Sequence, residues 1–244
     1  MNQNREEGKH MNYEVTVISP GVHSLAIWDS SWNSYNNCYL LKRDHEVIMI
    51  DCGKMEHDEA LLDALRGLGI GPLEVTQFIA THGHEDHVGA SSLFENALKW
   101  IHTQDTHRLT EQQRPGFHEI ASEDGELCGL SYTLLGHHTD GSIALFDPVT
   151  GCLFCGDHIC FFGAETQTDG FLTFGSELRT NTRNFVRQWS NSPEDRSAYR
   201  FDRYISGLQS LSRHDAAFLA TGHGPVLTRQ IAEFLTSLVD SQHP

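Results

Sequence analysis

Four potential metal ligands lie within six consecutive residues of this chain, His82-Gly-His84-Glu-Asp86-His87. The segment directly follows residues 75–80, an apolar run that reads as a half-buried strand. Side chains at alternate positions after such a strand point to one side, so His82, His84 and Asp86 are predicted to converge. His87 points elsewhere and is available to a second metal. Imidazole and carboxylate ligands suit zinc and, to a lesser degree, iron or manganese.

Three further polar motifs follow apolar runs later in the chain. They are Gly136-His137-His138-Thr139-Asp140-Gly141-Ser142, Gly156-Asp157 and Thr221-Gly222-His223-Gly224-Pro225. Together with the first motif, they resemble in type and order the motifs of the metallo-β-lactamase superfamily, over about residues 13–239. The resemblance implies an α/β fold, a four-layer αββα sandwich in which two mixed β-sheets are flanked by helices.

The resemblance also implies a role for seven side chains. One metal would be bound by His82, His84 and His138, the other by Asp86, His87 and His223, with Asp157 bridging the two. His138 is preferred to His137 because the family places this ligand directly before a Thr-x-Gly-Ser turn. Asp86 and Asp157 are the two residues assigned a catalytic role. Asp140 stands where many relatives have proline, a difference that removes no ligand.

Two adjacent cations lower the pKa of a shared water and polarise the oxygen under attack. The predicted activity is therefore hydrolysis of a small ester, lactone, thioester or amide by a metal-bridging hydroxide. The predicted cofactor is two Zn²⁺, with iron or manganese as alternatives. Two other activities of the same fold stay open, a glyoxalase II-like thioesterase and a mononuclear-iron persulfide dioxygenase. The chain is short for the extra helical domain of the first, and its His-Thr-Asp-Gly turn is similar to that of the second.

The elements that must position these residues alternate along the chain. Strands are predicted at residues 14–18, 37–41, 47–50, 75–80, 100–103, 132–135, 143–146, 153–155 and 217–220. Helices are predicted at residues 58–68, 203–212 and 229–239. The expected organisation is a disordered tail over residues 1–12 and a single domain over residues 13–244, in which an insertion at 158–203 lines the pocket.

Candidate substrate contacts lie outside the metal motifs. Trp28, Trp32 and Tyr35 belong to a polar, turn-prone stretch that predicts an exposed hairpin tip. Relatives place a flexible substrate-covering loop in this region, although anchoring of the hairpin is an equally good explanation for the three rings.

The insertion supplies the other candidates, which are His158, Phe162, Tyr199 and Tyr204. Lactonase-like relatives use a tyrosine near the metals to polarise the substrate carbonyl, a role open to Tyr199 or Tyr204. His158 is a candidate proton donor or ligand-orienting group. Strand alternation, however, points its side chain away from Asp157 and favours a structural role.

The charge and composition of the chain limit its partners. A formal net charge of −16 with only 17 Lys and Arg argues against nucleic acid, which leaves a small-molecule substrate as the expected partner. No apolar run reaches about 18 residues, and no signal-peptide core is recognisable, so we expect no membrane association and a cytoplasmic location. Six cysteines agree with a reducing compartment. A homodimer is compatible with the sequence.

Overall fold

Two seven-stranded β-sheets stack face to face, and helices cover the outer face of each sheet. The computed structural model describes residues 12–163 and 170–241. Both sheets contain parallel and antiparallel pairs, so both are mixed. The order helix, sheet, sheet, helix is the predicted αββα sandwich, and this prediction is confirmed.

The first sheet keeps its strands in chain order. It contains β1 (Tyr13–Ser19), β2 (Val22–Asp29), β3 (Ser34–Lys42), β4 (Val47–Ile50), β5 (Gln77–Ile79), β6 (Leu98–His102) and β7 (Phe117–Ile120). The pairs from β1 to β4 are antiparallel and those from β4 to β7 are parallel.

The second sheet has the spatial order β12-β14-β13-β11-β10-β9-β8. Its strands are β8 (Asp124–Leu127), β9 (Leu130–Leu134), β10 (Ile143–Asp147), β11 (Cys152–Gly156), β12 (Leu172–Thr173), β13 (Phe218–Thr221) and β14 (Val226–Thr228). The parallel pair β11–β13 lies in the middle of this sheet, and the loops after both strands carry candidate ligands.

The α-helices differ widely in length. They are α1 (Asp58–Gly67), α2 (Glu85–Val88), α3 (Ser176–Asn191), α4 (Pro193–Ala198), α5 (Phe201–Leu211) and α6 (Ile231–Asp240). Short 3₁₀ helices occupy Met55–His57, Pro72–Glu74, Gly89–Leu93, Thr103–Arg108 and Arg114–Gly116. In α6 the buried residues have the spacing of one helix face, which lies on the second sheet.

Three groups of buried side chains hold the layers together. Ile50 of β4 and Phe154 of β11 belong to the group between the sheets. Leu65 of α1 belongs to the group outside the first sheet, whereas Leu208 of α5 and Leu235 of α6 belong to the group outside the second. Because alternate strand residues face opposite sides, each sheet can contribute to a core on both faces.

The predicted strands and helices all overlap observed ones, but several elements were not predicted. The strand β8 has the sequence Asp-Gly-Glu-Leu and is almost wholly exposed, so it carries no apolar alternation. The helix α3 buries only Arg179 and Val186, and its sequence is correspondingly polar. The strand β8 therefore lacks the apolar alternation on which the predictions depended, whereas α3 has few apolar residues but spaces Leu178, Phe185, Val186 and Trp189 along one helix face, a signal that was missed.

The aromatic hairpin differs from its prediction. Trp28 and Tyr35 are cross-strand partners on β2 and β3, both are half-buried, and their ring centroids lie 5.2 Å apart. Trp32, in the turn between the strands, is 55% exposed. The prediction of an exposed tip is therefore wrong for Trp28 and Tyr35, because the strands extend further than the polar sequence indicated.

The predicted domain organisation stays a prediction. Most of the expected tail, residues 1–11, lies outside the described residues. The described part of the expected insertion includes β12, α3 and α4, and its residues Ile159, Phe161 and Val186 pack into the core outside the second sheet. In the part of the chain that is described, no helix combines the length and apolarity needed to cross a membrane.

Candidate metal centre

The candidate ligands come from four loops that meet at one end of the sandwich. His82 follows β5, His138 follows β9, Asp157 follows β11 and His223 follows β13. The loop after β5 continues into α2, a single helical turn that contains Asp86 and His87. Asp86 lies on this turn and groups with His87 and His223 rather than with His82 and His84, so the convergence predicted for His82, His84 and Asp86 holds only for the first two.

Three imidazoles form the first cluster. The Nδ1 atom of His84 lies 3.1 Å from Nε2 of His82 and 2.9 Å from Nε2 of His138. His82 is buried, His84 is half-buried and His138 is exposed, so the cluster opens to solvent beside His138. The three nitrogens could together hold one cation.

The second cluster contains two imidazoles and a carboxylate. Oδ2 of Asp86 lies 3.3 Å from Nε2 of His223 and 3.6 Å from Nε2 of His87. Both imidazoles are buried. The three donor atoms lie close enough to one another to hold a second cation.

Asp157 lies between the two clusters. Its Oδ2 atom is 3.4 Å from Nε2 of His138 and 3.5 Å from Nε2 of His223, and its Oδ1 atom is 3.4 Å from Nε2 of His87. One carboxylate therefore faces ligands of both clusters, which is the arrangement needed for a bridging ligand.

The donor set fits a pair of metal ions. Among the described residues, Nε2 of His87 and Oδ1 of Asp157 are buried and make no hydrogen bond, although they face each other as an ion pair at 3.4 Å. Buried polar atoms normally have a partner, and a bound cation would provide one for both. Nitrogen and carboxylate donors without thiolates are typical of catalytic rather than closed structural zinc sites.

Burial holds the first cluster in the neutral form that binds metal. The His138 side chain is 33% exposed, and the burial of the rest of it, assisted by the neighbouring histidines, outweighs the charge of Asp157 and lowers the pKa of His138 to about 4. Burial also lowers the pKa of His82 well below 6.5, and that of His84, where the charge of Arg108 adds to the effect. These imidazoles therefore present lone pairs at neutral pH.

The carboxylates dominate the second cluster. Burial alone would raise the pKa of Asp86, but the hydrogen bond to His223 and the charge of His87 outweigh it and lower the pKa to about 2. Burial would lower the pKa of His223, yet Asp157 and the hydrogen bonds to both carboxylates raise it to about 9. The pKa of His87 is likewise raised well above 6.5, against burial, by Asp157 and Asp51.

These shifts predict how metal affinity depends on pH. In chelator-treated protein, we expect zinc affinity to rise between pH 6.5 and about 9, because a metal must displace the proton of His223. Protonated His223 also contributes to the free energy of unfolding of the metal-free protein. This contribution is present in full below pH 6.5 and is lost as the pH rises through about 9. Competition with a fluorescent zinc chelator measures the affinity, with the chelator's own protonation corrected from a titration without protein. An affinity independent of pH over this range would contradict the assignment.

Asp51 and Thr81 orient the rings of two ligands. Nδ1 of His87 donates to Oδ2 of Asp51 at 2.8 Å, and this carboxylate also accepts from the backbone N–H and hydroxyl of Thr81. The Thr81 hydroxyl oxygen in turn lies 3.1 Å from Nδ1 of His82. Because these Nδ1 atoms have fixed acceptors, the Nε2 atoms are left free for metal. Asp51 has a φ of 57°, a left-handed conformation that the buried contacts of its side chain maintain.

Asp105 connects two of the ligand loops. It is fully buried, and its carboxylate accepts hydrogen bonds from the backbone N–H groups of Gly83 and Gly141 at 2.7 and 2.9 Å and from the hydroxyl of Thr139 at 2.6 Å. Gly83 separates His82 from His84, and Thr139 follows His138. Asp105 therefore positions the loops that carry all three histidines of the first cluster.

Backbone contacts position the last histidine. Nδ1 of His223 donates to the carbonyl of Tyr35 at 3.1 Å, and the side chain of Asn37 donates to the carbonyls of Thr221 and Gly224. A Cβ atom on Gly222 would lie 1.9 Å from Oδ1 of Asp157, so only glycine fits at this position. The first sheet thus holds the final ligand loop against Asp157.

Two predicted substrate residues lie at the edge of the centre. The ring of Phe162 lies 4.7 Å from that of His223, and Trp32 packs on Phe162 at 6.1 Å. Phe162 is 52% exposed. Trp28 and Tyr35, in contrast, are held by their cross-strand pairing, and Tyr35 also contacts Phe171 at 5.5 Å.

The remaining predicted residues line a cavity beside the first cluster. His158 is buried, its Nε2 donates to the carbonyl of Tyr204 at 3.0 Å, and its ring stacks on that of Tyr204. Burial, with the charge of His137 adding to it, lowers the pKa of His158 to about 3. Tyr199 stacks on Trp189 at 4.5 Å, and its carbonyl accepts from Nε2 of His137 at 2.8 Å. His137 therefore faces this cavity wall, and His138 faces the metal cluster.

The positioning residues were missed by sequence reasoning. Asp51 carried a signal, because it directly follows the apolar strand β4, where a buried carboxylate needs a partner. No comparable sequence signal marked Asp105, since it lies in a polar 3₁₀ segment with no apolar pattern.

Comparison with known proteins identifies the family. The family model of the metallo-beta-lactamase superfamily matches residues 32–223, which include all seven candidate ligands. The chain belongs to this superfamily.

Metallo-beta-lactamase domain-containing protein 1 of Xenopus laevis is 40% identical over 107 residues, covering 43% of this chain and 45% of that protein. The human protein of the same name is 48% identical over 50 residues, covering 20% of this chain and 19% of that protein. The chain thus matches less than half the length of these relatives.

The metallo-beta-lactamase fold is also evident from solved structures. The flavodiiron protein from Giardia intestinalis superposes with a TM-score of 0.72 at 14% identity, over 94% of this chain and 59% of that chain. At this level of identity the similarity shows the fold alone.

Proposed function

We propose that this chain is a dinuclear metal-dependent hydrolase acting on a small ester, lactone, thioester or amide. The observation that carries the proposal is the position of Asp157, whose carboxylate faces donor atoms of both clusters within 3.5 Å. A shared carboxylate between two three-ligand clusters is suited to two adjacent ions rather than one. Such ions, when bound, lower the pKa of water and polarise the carbonyl under attack.

The residues of the chain would bind and orient the reacting groups. Asp86, with its pKa near 2, is ionised at neutral pH and offers a permanent negative charge beside His223. The hydrogen bonds from His87 to Asp51 and from His223 to the Tyr35 carbonyl hold both rings in place. Preorganised donors of this kind need no rearrangement during the reaction. Substrate would enter beside His138, the exposed member of the set.

Zinc is the metal we propose, because three neutral imidazoles in the first cluster suit it. Iron competes for the same ligands, and the structural neighbour from Giardia intestinalis is named a flavodiiron protein. The glyoxalase II-like thioesterase and the persulfide dioxygenase stay hypotheses. Turnover of a glutathione thioester would favour the first, and a single iron with oxygen consumption would favour the second.

Metal quantification combined with a hydrolysis screen tests the proposal. The screen covers lactones, esters, thioesters, amides, β-lactams and phosphodiesters. We expect two zinc ions per chain and water addition to at least one member of the first five classes, and hydrolysis of phosphodiesters alone would contradict the proposed substrate class. His84→Ala and Asp86→Ala, one in each cluster, are each expected to abolish this activity without unfolding the chain. His45→Ala, an exposed histidine outside the site, is the matched control. Full activity in both ligand variants would refute the mechanism.

A further inference from the structure

A cavity of about 430 Å³ opens beside the metal centre. His138 and Asp157 form part of its wall, so the cavity is continuous with the first metal cluster. Its volume lies in the range of small-ligand pockets, roughly 300–1,000 Å³. A substrate whose scissile carbonyl lies at the metals can therefore extend a substituent into it.

The wall formed by α3 is largely apolar and aromatic. The helix contributes Leu178, Phe185 and Trp189, together with the uncharged polar residues Asn181 and Thr182. The ring of Trp189 stacks on Tyr199 at 4.5 Å and meets Tyr204 edge-on at 5.5 Å. Tyr204 is buried and in turn stacks on His158, so the wall is a connected set of rings rather than separate side chains.

The described residues that line the cavity offer no cationic partner to an anionic substituent. Among them there is no lysine, arginine or glutamate, and the one carboxylate, that of Asp157, belongs to the metal centre. A carboxylate or phosphate at the α3 end of this space would lose its hydration without gaining a lysine or arginine partner among the described lining residues, which is costly. The lining therefore favours an uncharged group.

Part of this apolar surface is exposed in the protein alone. Phe185 is 56% exposed and Tyr199 is 47% exposed, and both lie on the cavity wall. Phe162, on the side of His223, is 52% exposed. Aromatic surface concentrated beside a catalytic centre is typical of a ligand-binding region, because the ligand covers it.

We propose that this cavity, here called the apolar cavity, binds an uncharged apolar substituent of the substrate, an alkyl or aryl group attached to the scissile ester, lactone, thioester or amide. The inference rests on the proposed function and adds a substrate class to it. Leu178, Phe185 and Trp189 would then determine specificity, although none of them is a candidate metal ligand.

Hydrolysis of two ester series tests this substrate class. One series varies the acyl chain from acetyl to decanoyl with a constant nitrophenyl leaving group, and the other varies the alcohol with a constant acetyl group. In one of them, kcat/KM is expected to rise about fourfold per methylene until the apolar cavity is filled, the factor equivalent to ~0.8 kcal/mol per buried CH₂. A terminal carboxylate on the longest chain is expected to lower kcat/KM by at least tenfold.

Two matched variants test whether the dependence of kcat/KM on chain length arises in the apolar cavity. Phe185→Asp is expected to flatten the dependence on chain length, because it places a charge on the wall. Leu73→Asp is the control, since Leu73 is 54% exposed and does not line the cavity. The Leu73→Asp control is expected to show the same increase in kcat/KM per methylene as the wild type.

Binding of the neutral fluorophore N-phenyl-1-naphthylamine provides a readout that is independent of turnover. Phe185→Asp is expected to weaken its Kd at least tenfold, and Leu73→Asp to leave it within twofold of wild type. If no ester, lactone, thioester or amide is hydrolysed but this difference is found, the apolar cavity stands and the proposed hydrolase function fails. If hydrolysis occurs with equal rates for all chain lengths in both series, and the two variants bind the fluorophore equally, the apolar cavity is refuted and the hydrolase function stands.

Discussion

The Asp157→Asn variant is expected to retain about a thousandth or less of the wild-type kcat/KM, equivalent to a loss of ~4 kcal/mol in transition-state stabilisation. Asparagine keeps the shape of the side chain but removes the negative charge that lies within 3.5 Å of His87, His138 and His223. Without that charge no ligand is shared between the clusters, and the protein should bind fewer metals.

Three measurements on this variant show whether the lower activity comes from lost metal binding or from a damaged fold. Steady-state kinetics give the loss of activity, metal analysis gives the stoichiometry, and thermal unfolding of chelator-treated protein shows whether the fold is intact. Asp63→Asn, which changes an exposed carboxylate on α1, serves as the control and should differ from wild type by less than twofold. An Asp157→Asn protein that keeps both metals and more than a tenth of the activity would show that the carboxylate is not a bridging ligand.

Replacing Asp105 with alanine is expected to lower the free energy of unfolding by ~3–5 kcal/mol. The carboxylate accepts three hydrogen bonds, and its removal leaves the buried donors of Gly83, Thr139 and Gly141 without their acceptor. Because these donors belong to the loops of the first cluster, we also expect weaker binding of one metal, by about 10–100-fold.

Urea unfolding of chelator-treated protein measures the stability effect free of any change in metal binding. Zinc titration then measures affinity in folded protein, and only a positioning role predicts a larger loss for one metal than for the other. Asp44→Ala, at an exposed loop carboxylate, is expected to change stability by no more than about 0.5 kcal/mol. A loss below about 1 kcal/mol for Asp105→Ala would contradict its role between the loops.

The resemblance of four sequence motifs to those of the metallo-β-lactamase superfamily supplied the seven candidate ligands, and each of these motifs directly follows an apolar run. Apolar runs such as residues 75–80 indicate strands of the two stacked sheets. The polar residues that follow these strands lie at one end of the sandwich, where the candidate ligands meet. The spacing of Leu61 and Leu65 likewise predicted α1. These signals are local, so one sequence was enough to read them.

Other parts of the site depend on contacts between distant residues. Asp105 binds donors 22 to 36 residues away, and no short pattern encodes such a partner. The helical turn at Asp86 is only four residues long, too short for a periodicity, so its orientation could not be anticipated. Phe185 and Trp189 lie on a mostly polar helix, and only the folded structure shows that they line the same cavity as His138 and Asp157.

Anomalous diffraction from a crystal of the zinc-loaded protein, measured on both sides of the zinc absorption edge, tests the central claim most directly. We predict two zinc peaks about 3.5–4 Å apart, one among His82, His84 and His138 and one among Asp86, His87 and His223, with Asp157 between them. A single peak, or zinc bound away from these seven side chains, would contradict the dinuclear centre from which the proposed hydrolysis follows.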